Sequence, residues 1–251
     1  MIEYTTVPKP MIIIAEPYAR YQETLAESEL ELASTRLLEV AEDLCRLHFA
    51  ARYEELGITI EARVEVGSTR TWVTISALVG ALLFYGNLRQ SIDYLAKDAD
   101  MLSRLIQPKV ASTIGLQSSG PERYERRLGV PGELRRLFAH VERGEMSADE
   151  AASRAFRLLR IDDDTKTTRE LPRLERELIS EFQIAACSQQ EGVREMIDMP
   201  HVQVRDGGAK KRQERPKRHD MGLPPTQPIR RRRGVVASRD PRTRRVAIRR
   251  Y

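Results

Sequence analysis

The chain has 251 residues, of which 41% are apolar, 31% are charged and 6% are aromatic, with 14 glycines, 13 prolines and two cysteines. This composition excludes a wholly disordered protein, a collagen-like repeat, a disulfide-stabilised scaffold and a polytopic membrane protein. The net charge of +5 combines two unlike regions, because residues 205–251 carry 17 Lys/Arg and 4 Asp/Glu, whereas residues 1–204 carry 25 basic and 33 acidic residues. The sequence therefore predicts an acidic body followed by a strongly basic tail.

The first residues of the chain lack the basic start and apolar run of a secretory signal peptide. The only asparagine, Asn87, is not in a glycosylation sequon. Cys45 and Cys187 fall in predicted helices, where we expect buried thiols. These features predict a cytoplasmic protein.

The first predicted elements are a short strand and a long helix. Residues 11–14 are apolar and lie between two prolines, a run too short for a helix that favours a strand. From about 22 to 55, apolar residues recur every three or four positions, with acidic residues near the start and arginines near the end, as the helix dipole favours. His48 lies on the apolar stripe, so we expect a core residue rather than a ligand.

Residues 58–75 predict a β-hairpin. Apolar and polar residues alternate strictly from Ile58 to Val66, and Gly67-Ser68 suits a two-residue type II′ turn. The register that follows pairs Glu65 with Arg70, Arg63 with Trp72, Ala62 with Val73, and Ile60 with Ile75. The first two pairs share one face as a charge pair and a cation–π pair, and the last two form the apolar face.

Residues 76–106 predict a helix that Ser76 caps and that ends before Pro108. Its first part, residues 77–85, is apolar on every side, and we expect it to pack across the hairpin in the core. A membrane-dipping helix is the alternative, although nine continuous apolar residues fall short of the roughly 20 that span a bilayer.

Residues 108–131 are rich in Gly and Pro and predict a linker. Two short helices follow at about 132–143 and 148–160, and Ser147 with Glu150 forms a capping box for the second. A last body helix spans about 170–198, and its apolar stripe comprises Leu171, Leu174, Leu178, Phe182 and Ala185.

The two short helices, residues 134–159, resemble the helical hairpin of bacterial SHOCT-type (short C-terminal) modules. The shared features are a leucine-bearing first helix, a turn at Gly144 and the Ser-Ala-Asp-Glu-Ala start of the second helix at Ser147. Met146 departs from the family pattern, which has a β-branched residue there. The resemblance covers about a tenth of the chain and implies an interaction or oligomerisation element.

Together these patterns predict an α+β fold that is mainly α, with a helical body, one β-hairpin at about 58–75, and a basic, mostly extended C-terminal tail that ends in a β-hairpin. The predicted regions are a helix–hairpin–helix core at 1–107, a linker at 108–131, a helical hairpin plus long helix at 132–204, and the basic tail at 205–251.

The chain contains no phosphate-loop, dinucleotide-binding, nucleophile-elbow or zinc-protease motif. Neither the four histidines nor the two cysteines have metal-ligand spacing. We expect Asp162-Asp163-Asp164 to be a solvated loop, because Lys166 stands where a phosphatase-like pattern needs Thr. The sequence thus predicts no catalytic residue, metal or cofactor, although an active site assembled from residues distant in sequence stays open.

The basic tail has three Lys/Arg clusters, and residues 235–248 suit an Arg-rich hairpin with Asp240-Pro241 starting a type I turn. Arginines bind phosphates bidentately, and the absence of aromatic residues from the tail before Tyr251 favours backbone contact over base stacking. The candidate nucleic-acid-binding residues are Lys210, Lys211, Arg212, Arg215, Lys217, Arg218, Arg230, Arg231, Arg232, Arg233, Arg239, Arg242, Arg244, Arg245, Arg249 and Arg250.

The sequence therefore predicts a non-enzymatic interaction or assembly protein whose Arg-rich tail binds the backbone of DNA or RNA with little sequence specificity. An acidic protein surface is an alternative partner for the tail, and we expect self-association of a bacterial or phage-like assembly. The competing hypothesis is a membrane-associated scaffold that uses residues 77–85 as an apolar anchor and the tail for anionic lipid.

Overall fold

In a computed structural model, which describes residues 10–65, 68–116, 121–159, 171–197, 234–239 and 245–251, six strands form one antiparallel sheet. The strands are β1 (Met11–Arg20), β2 (Thr59–Glu65), β3 (Arg70–Leu78), β4 (Arg123–Arg127), β5 (Gly234–Arg239) and β6 (Val246–Arg250). Their order across the sheet is β4-β1-β3-β2-β5-β6. The fold is α+β as predicted, but the hairpins predicted at about 58–75 and at the C-terminus belong to one six-stranded sheet rather than to separate elements.

Six α-helices accompany the sheet in the described residues: α1 (Leu30–Phe49), α2 (Arg52–Glu55), α3 (Leu88–Thr113), α4 (Gly129–Glu142), α5 (Ala148–Leu158) and α6 (Leu171–Ile197). Helix α1 packs on β2 and β5, and α3 and α4 pack on β1. Helices α4, α5 and α6 contact one another, and the rings of Phe138 and Phe182 stack with centroids 4.2 Å apart.

One hydrophobic core holds these elements together. Because side chains alternate along a strand, one face of the sheet presents Ala62 and Ile75 to the helices, and both are completely buried. Val110, Leu134 and Val235 belong to the same core. Each of the four regions predicted from the sequence, including the linker and the tail, therefore contributes buried side chains to this core.

The register of the β2–β3 hairpin is the predicted one: Glu65 faces Arg70, Arg63 faces Trp72, Ala62 faces Val73, and Ile60 faces Ile75. The predicted cation–π pair is present, with the Arg63 guanidinium carbon 5.0 Å from the centroid of the Trp72 ring. The carboxylate of Glu65 forms its ion pair with Arg63 rather than with Arg70. The turn residue Gly67 lies outside the described residues.

The prediction of a helix from Ser76 was wrong in its first part. Strand β3 continues to Leu78, where the backbone N–H of Leu78 donates to the Leu56 carbonyl, and a 3-10 turn follows at Val79–Leu83. Asn87, not Ser76, caps α3 by accepting a hydrogen bond from the N–H of Gln90 at 2.7 Å. Pairing with β1 therefore outweighs the helical preference of this apolar run.

Residues 108–131 are not an irregular linker in their described part. Helix α3 continues through Pro108 to Thr113, and β4 pairs with β1 in register from Arg123 to Arg127. Gly129 then starts α4 with φ +56°, and a Cβ there would overlap the carbonyl of Ile13. Only glycine accepts this close approach and this backbone angle together.

The remaining predicted body helices are confirmed with shifted ends, except that the first, predicted to run to about residue 55, breaks at Ala50, where φ is +46°, and leaves α2 as a separate turn. Helix α1 starts at Leu30 rather than near residue 22, because the preceding segment bonds to Thr69, whose hydroxyl accepts from the N–H of Leu25 at 3.2 Å. Ser147 caps α5 as predicted, accepting from the N–H of Glu150 at 3.2 Å. The five apolar residues predicted to form the stripe of α6 are all buried.

The predicted C-terminal hairpin is confirmed, and it is part of the main sheet. Strand β5 pairs with β6, and its other edge pairs with β2 from Glu61 opposite Ser238 to Glu65 opposite Gly234. The proposed turn at Asp240-Pro241 lies outside the described residues.

No helix in the described part of the chain has the length and hydropathy needed to cross a membrane. The side chains of Ala77, Val79, Ala81 and Leu82, which the membrane hypothesis would place in lipid, are buried in the core.

Candidate nucleic-acid interface

The face of the sheet opposite the core, here called the outer face, carries a row of side chains that crosses all six strands. Because the strands pair in register, the row contains one residue from each strand: Glu125, Tyr18, Trp72, Arg63, Val236 and Arg249. Apart from Tyr18, these side chains are half-buried or exposed. The outer face is thus formed by residues that lie far apart in the sequence.

Aromatic rings and guanidinium groups stack along this row. The Tyr18 and Trp72 rings lie 5.0 Å apart between centroids. The guanidinium carbon of Arg127 lies 5.5 Å from the Tyr18 ring, and that of Arg63 lies 4.5 Å from the ring of Tyr251. Since Arg63 also contacts Trp72, it lies between two aromatic rings. Such cation–π contacts favour one arrangement of the side chains.

A hydrogen-bond network fixes Arg63 and Tyr251. The Arg63 Nε–H donates to the Tyr251 oxygen and its terminal nitrogen donates to Glu65, while the Tyr251 hydroxyl donates to Glu65 Oε1 at 2.9 Å. Burial acts to lower the pKa of Arg63, but its contacts with Tyr251 and Glu65 outweigh this and raise the pKa above its ordinary value. Burial is the main cause that raises the pKa of Tyr251 to about 12. Arg63 is therefore cationic and Tyr251 neutral at physiological pH.

Gly234 gives Tyr251 its place on the outer face. The two residues exchange backbone hydrogen bonds of 3.1 Å in each direction. A Cβ on Gly234 would overlap the Tyr251 hydroxyl and would lie 2.9 Å from Cγ of Glu65. Glycine therefore lets the last aromatic ring of the chain lie over the start of β5.

Two of the predicted phosphate-binding arginines contact the body. Arg239 Nε donates to both carboxylate oxygens of Glu42, at 2.8 and 2.9 Å. Arg250 Nε donates to Glu31 at 2.7 Å. These contacts join the C-terminal hairpin to α1, so both residues serve at least as anchors.

Arg249 and Arg245 are exposed. Arg249 extends the outer-face row on β6, opposite Val236. The other twelve candidate residues lie outside the described residues: Lys210, Lys211, Arg212, Arg215, Lys217, Arg218, Arg230, Arg231, Arg232, Arg233, Arg242 and Arg244.

A second polar cluster, which the sequence did not predict, surrounds Asp98. His48 Nε2 lies 2.9 Å from Asp98 Oδ1, and the Tyr85 hydroxyl donates to Asp98 Oδ2 at 3.2 Å. Arg52 donates to the Tyr85 oxygen at 2.8 Å. Because both oxygens of the carboxylate are occupied by side chains of the protein, the cluster serves to join α1 to α3. Only the spacing of His48 on the apolar stripe indicated its partial burial.

The helical hairpin of α4 and α5 is observed, and it borders a groove of about 530 Å³. Four basic side chains line this groove: Arg136, His140, Arg154 and Arg157. Two of them are paired with acidic residues of their own helices, Arg136 with Glu133 and Arg154 with Glu150. The groove is polar and partly neutralised, so it carries less free positive charge than its arginines suggest.

The described residues contain no group of three or more His, Cys, Asp or Glu side chains placed to hold a metal ion. Burial, followed by the charge of Glu42, raises the pKa of the Cys45 thiol to about 12, as expected for a core cysteine. Cys187 is exposed on α6, so its predicted burial was wrong. The triplet Asp162-Asp163-Asp164 lies outside the described residues.

Comparison with known proteins gives no match: no family model, no curated protein and no solved structure is significantly similar to this chain.

Proposed function

We propose that this chain is a non-enzymatic nucleic-acid-binding protein whose Arg-rich C-terminal region binds the phosphate backbone. The observation that carries the proposal is that β5 is an interior strand of the sheet, between β2 and β6. The run Arg230–Arg233 is joined directly to Gly234, the first residue of β5. Since a chain extends at most about 3.6 Å per residue, the covalent link between this run and Gly234 spans at most about 15 Å.

The charges of the outer face support a polyanionic ligand. The outward-facing residues of the described strands include six arginines and four glutamates: Arg20, Arg63, Arg70, Arg123, Arg127 and Arg249, with Glu16, Glu61, Glu65 and Glu125. Arginine side chains already hold several of these glutamates, as Arg127 does at 3.1 Å from Glu16 and 2.8 Å from Glu125. The excess of arginine adds to the basic run that precedes β5, and both favour phosphate.

The anchoring contacts suit such a role. Arg239 and Arg250 hold the hairpin against Glu42 and Glu31 of α1, while Arg249 and the run 230–233 remain candidates for the ligand. We propose that the helical body, including the α4–α5 hairpin, mediates self-association. An acidic protein is the alternative polyanion, and the experiment below separates it from nucleic acid.

The test is the salt dependence of binding. Affinities for a DNA duplex and for DNA and RNA single strands are measured by fluorescence anisotropy over a salt series. Neutralising each phosphate releases counterions, so replacing Arg230–Arg233 with alanine should lower the slope of log K against log salt by about 3–4 units on duplex. The proposal fails if the slope does not change or if no nucleic acid binds.

A matched control removes the same charge elsewhere. Alanine at Arg104, Arg136, Arg154 and Arg173 takes away four exposed arginines from surface ion pairs within helices. This variant should keep the salt slope of the natural chain. Substitution is preferable to deletion of residues 205–251, because deletion would also remove β5 and its buried Val235.

A further inference from the structure

We propose that the outer face is a stacking surface for the bases of single-stranded nucleic acid, an inference that rests on the proposed function and specifies its ligand. Residues 205–250 of the basic tail contain no aromatic residue, so this part of the chain offers contact with phosphate but not with bases. The fold places Tyr251 next to Arg63, which contacts Trp72. Aromatic rings and cationic groups from three separate chain segments thus meet beside the start of β5.

The exposed parts of this cluster suit unpaired bases. Tyr251 is 47% exposed, so part of its ring is open to a ligand, while the Arg63 guanidinium lies between this ring and that of Trp72. Each nucleobase has a π-face that stacks on aromatic rings or guanidinium planes, whereas the bases of a duplex are already stacked on one another. The outer face therefore discriminates in favour of single strands without reading a sequence.

The dimensions of the row suit several nucleotides. Strand β3 carries Trp72, and β6 ends just before Tyr251. Strands β2 and β5 lie between them in the sheet. With neighbouring strands about 4.8 Å apart, β3 and β6 lie about 14 Å from each other. Arg249 lies exposed at the β6 end of the row, whereas Arg127, which stacks on Tyr18 towards β4, is paired with Glu16 and Glu125, so the cationic group offered to phosphate lies on the β6 side. A single-stranded nucleic acid lying across the sheet would place its bases on the aromatic rings and its phosphates near arginine.

Trp72 provides a direct test, because it is the only tryptophan in the chain. The intact protein is titrated with oligo(dT), with a duplex of equal length, and with inorganic polyphosphate, a polyanion without bases. Oligo(dT) should quench Trp72 fluorescence and bind more tightly than the duplex. Polyphosphate should bind through the tail without comparable quenching. Equal quenching by all three ligands, or none by oligo(dT), would overturn the inference.

Variants of Tyr251 separate stacking from phosphate contact. Tyr251→Leu should weaken oligo(dT) binding about tenfold, because one stacking partner is lost, with an unchanged salt slope. Tyr251→Phe keeps the ring and should retain most of the affinity. Tyr94→Leu is the control, since this ring is 42% exposed on α3 and packs on Tyr85, away from the outer face.

Two outcomes distinguish this inference from the function on which it rests. If single strand and duplex bind equally and Trp72 fluorescence does not respond, while the Arg230–Arg233 variant still lowers the salt slope, stacking is disproved and phosphate binding stands. If neither nucleic acid binds, both proposals fail.

Discussion

The ion pair between Arg239 and Glu42 is the residue-scale link between the C-terminal hairpin and the body. The Glu42 side chain is 11% exposed and that of Arg239 is 31% exposed. The hydrogen bond that Arg239 donates to Glu42 is the main cause that raises the pKa of Arg239 above its ordinary value. A partly buried carboxylate is costly without a partner, so this arginine matters to folding whatever it contributes to binding.

We expect Arg239→Ala to lower the free energy of unfolding by about 2 kcal/mol, because the carboxylate of Glu42 loses its charged donor. Urea unfolding measures the change. A double-mutant cycle with Glu42→Gln should then recover a coupling energy of about 1 kcal/mol or more.

Arg250→Ala is the control for this prediction. The Arg250 side chain is 69% exposed in its pair with Glu31, and exposed pairs contribute about 0–1 kcal/mol. If both substitutions cost the same, or if the cycle shows no coupling, the anchoring role of Arg239 is wrong.

The C-terminal hairpin shows at the scale of elements why the tail is not a simple appendage. Val235 of β5 faces Val64 of β2, and Ala237 faces Ala62. All four side chains are buried. The hairpin completes the core side of the sheet, while the side chains on its other face belong to the outer face.

We expect Val235→Ala to lower the free energy of unfolding by about 2 kcal/mol, since it removes buried methyl groups from the contact of β5 with α1. Ile248→Ala on β6 is the matched control, because Ile248 is 42% exposed, and we expect less than about 0.5 kcal/mol. Chemical denaturation checks both. Equal small effects would mean that the hairpin is not part of the cooperative fold.

Elements with a local, self-consistent pattern were predictable from the sequence. The β2–β3 register followed because alternation and two complementary pairs, such as Arg63 with Trp72, agreed on one alignment. The cap of α5 at Ser147 was predictable for the same reason, since it depends on residues three positions apart. In such cases local chemistry and tertiary packing favour the same structure.

Elements that depend on distant partners were not predictable. Residues 123–127 are four charged residues and one tyrosine, with no apolar alternation, yet β4 pairs with β1 because Tyr124 donates to the Ser103 carbonyl at 2.6 Å and lies under the edge of the sheet. The apolar run 77–85 suits a strand end, a turn or a helix equally, and pairing with β1 decides it. The local sequence pattern does not indicate these contacts, because they are made with residues far away in the chain.

The candidate site follows the same rule. The basic clusters were visible from composition, but the neighbourhood of Tyr251 and Arg63, 188 positions apart, exists only after β5 has paired with β2. No local signal marks Tyr251 as part of an aromatic surface. The sequence therefore predicted a ligand class from charge, and the fold adds the aromatic and guanidinium contacts on which the proposed preference for single strands rests.

At the scale of the whole molecule, several tyrosines link stability to alkaline pH. Burial is the leading cause that raises the pKa of Tyr21, Tyr53, Tyr85, Tyr124 and Tyr251 to about 12. Tyrosine is neutral when protonated, and its ordinary pKa is about 10. Between these two values the folded state therefore binds more protons than the unfolded state does.

We therefore expect the free energy of unfolding to be insensitive to these groups below pH 10 and to fall as the pH rises from 10 to about 12. Tyr21→Phe isolates the effect, because Tyr21 is 2% exposed and its hydroxyl has no hydrogen-bond partner among the described residues. This variant should be more stable by about 1 kcal/mol at neutral pH and should lose stability less steeply in alkali. Urea unfolding at a series of pH values measures both effects, with Tyr94→Phe as the exposed control. A Tyr21→Phe variant whose stability falls with pH as steeply as that of the natural chain would show that the buried hydroxyl does not contribute to the alkaline transition.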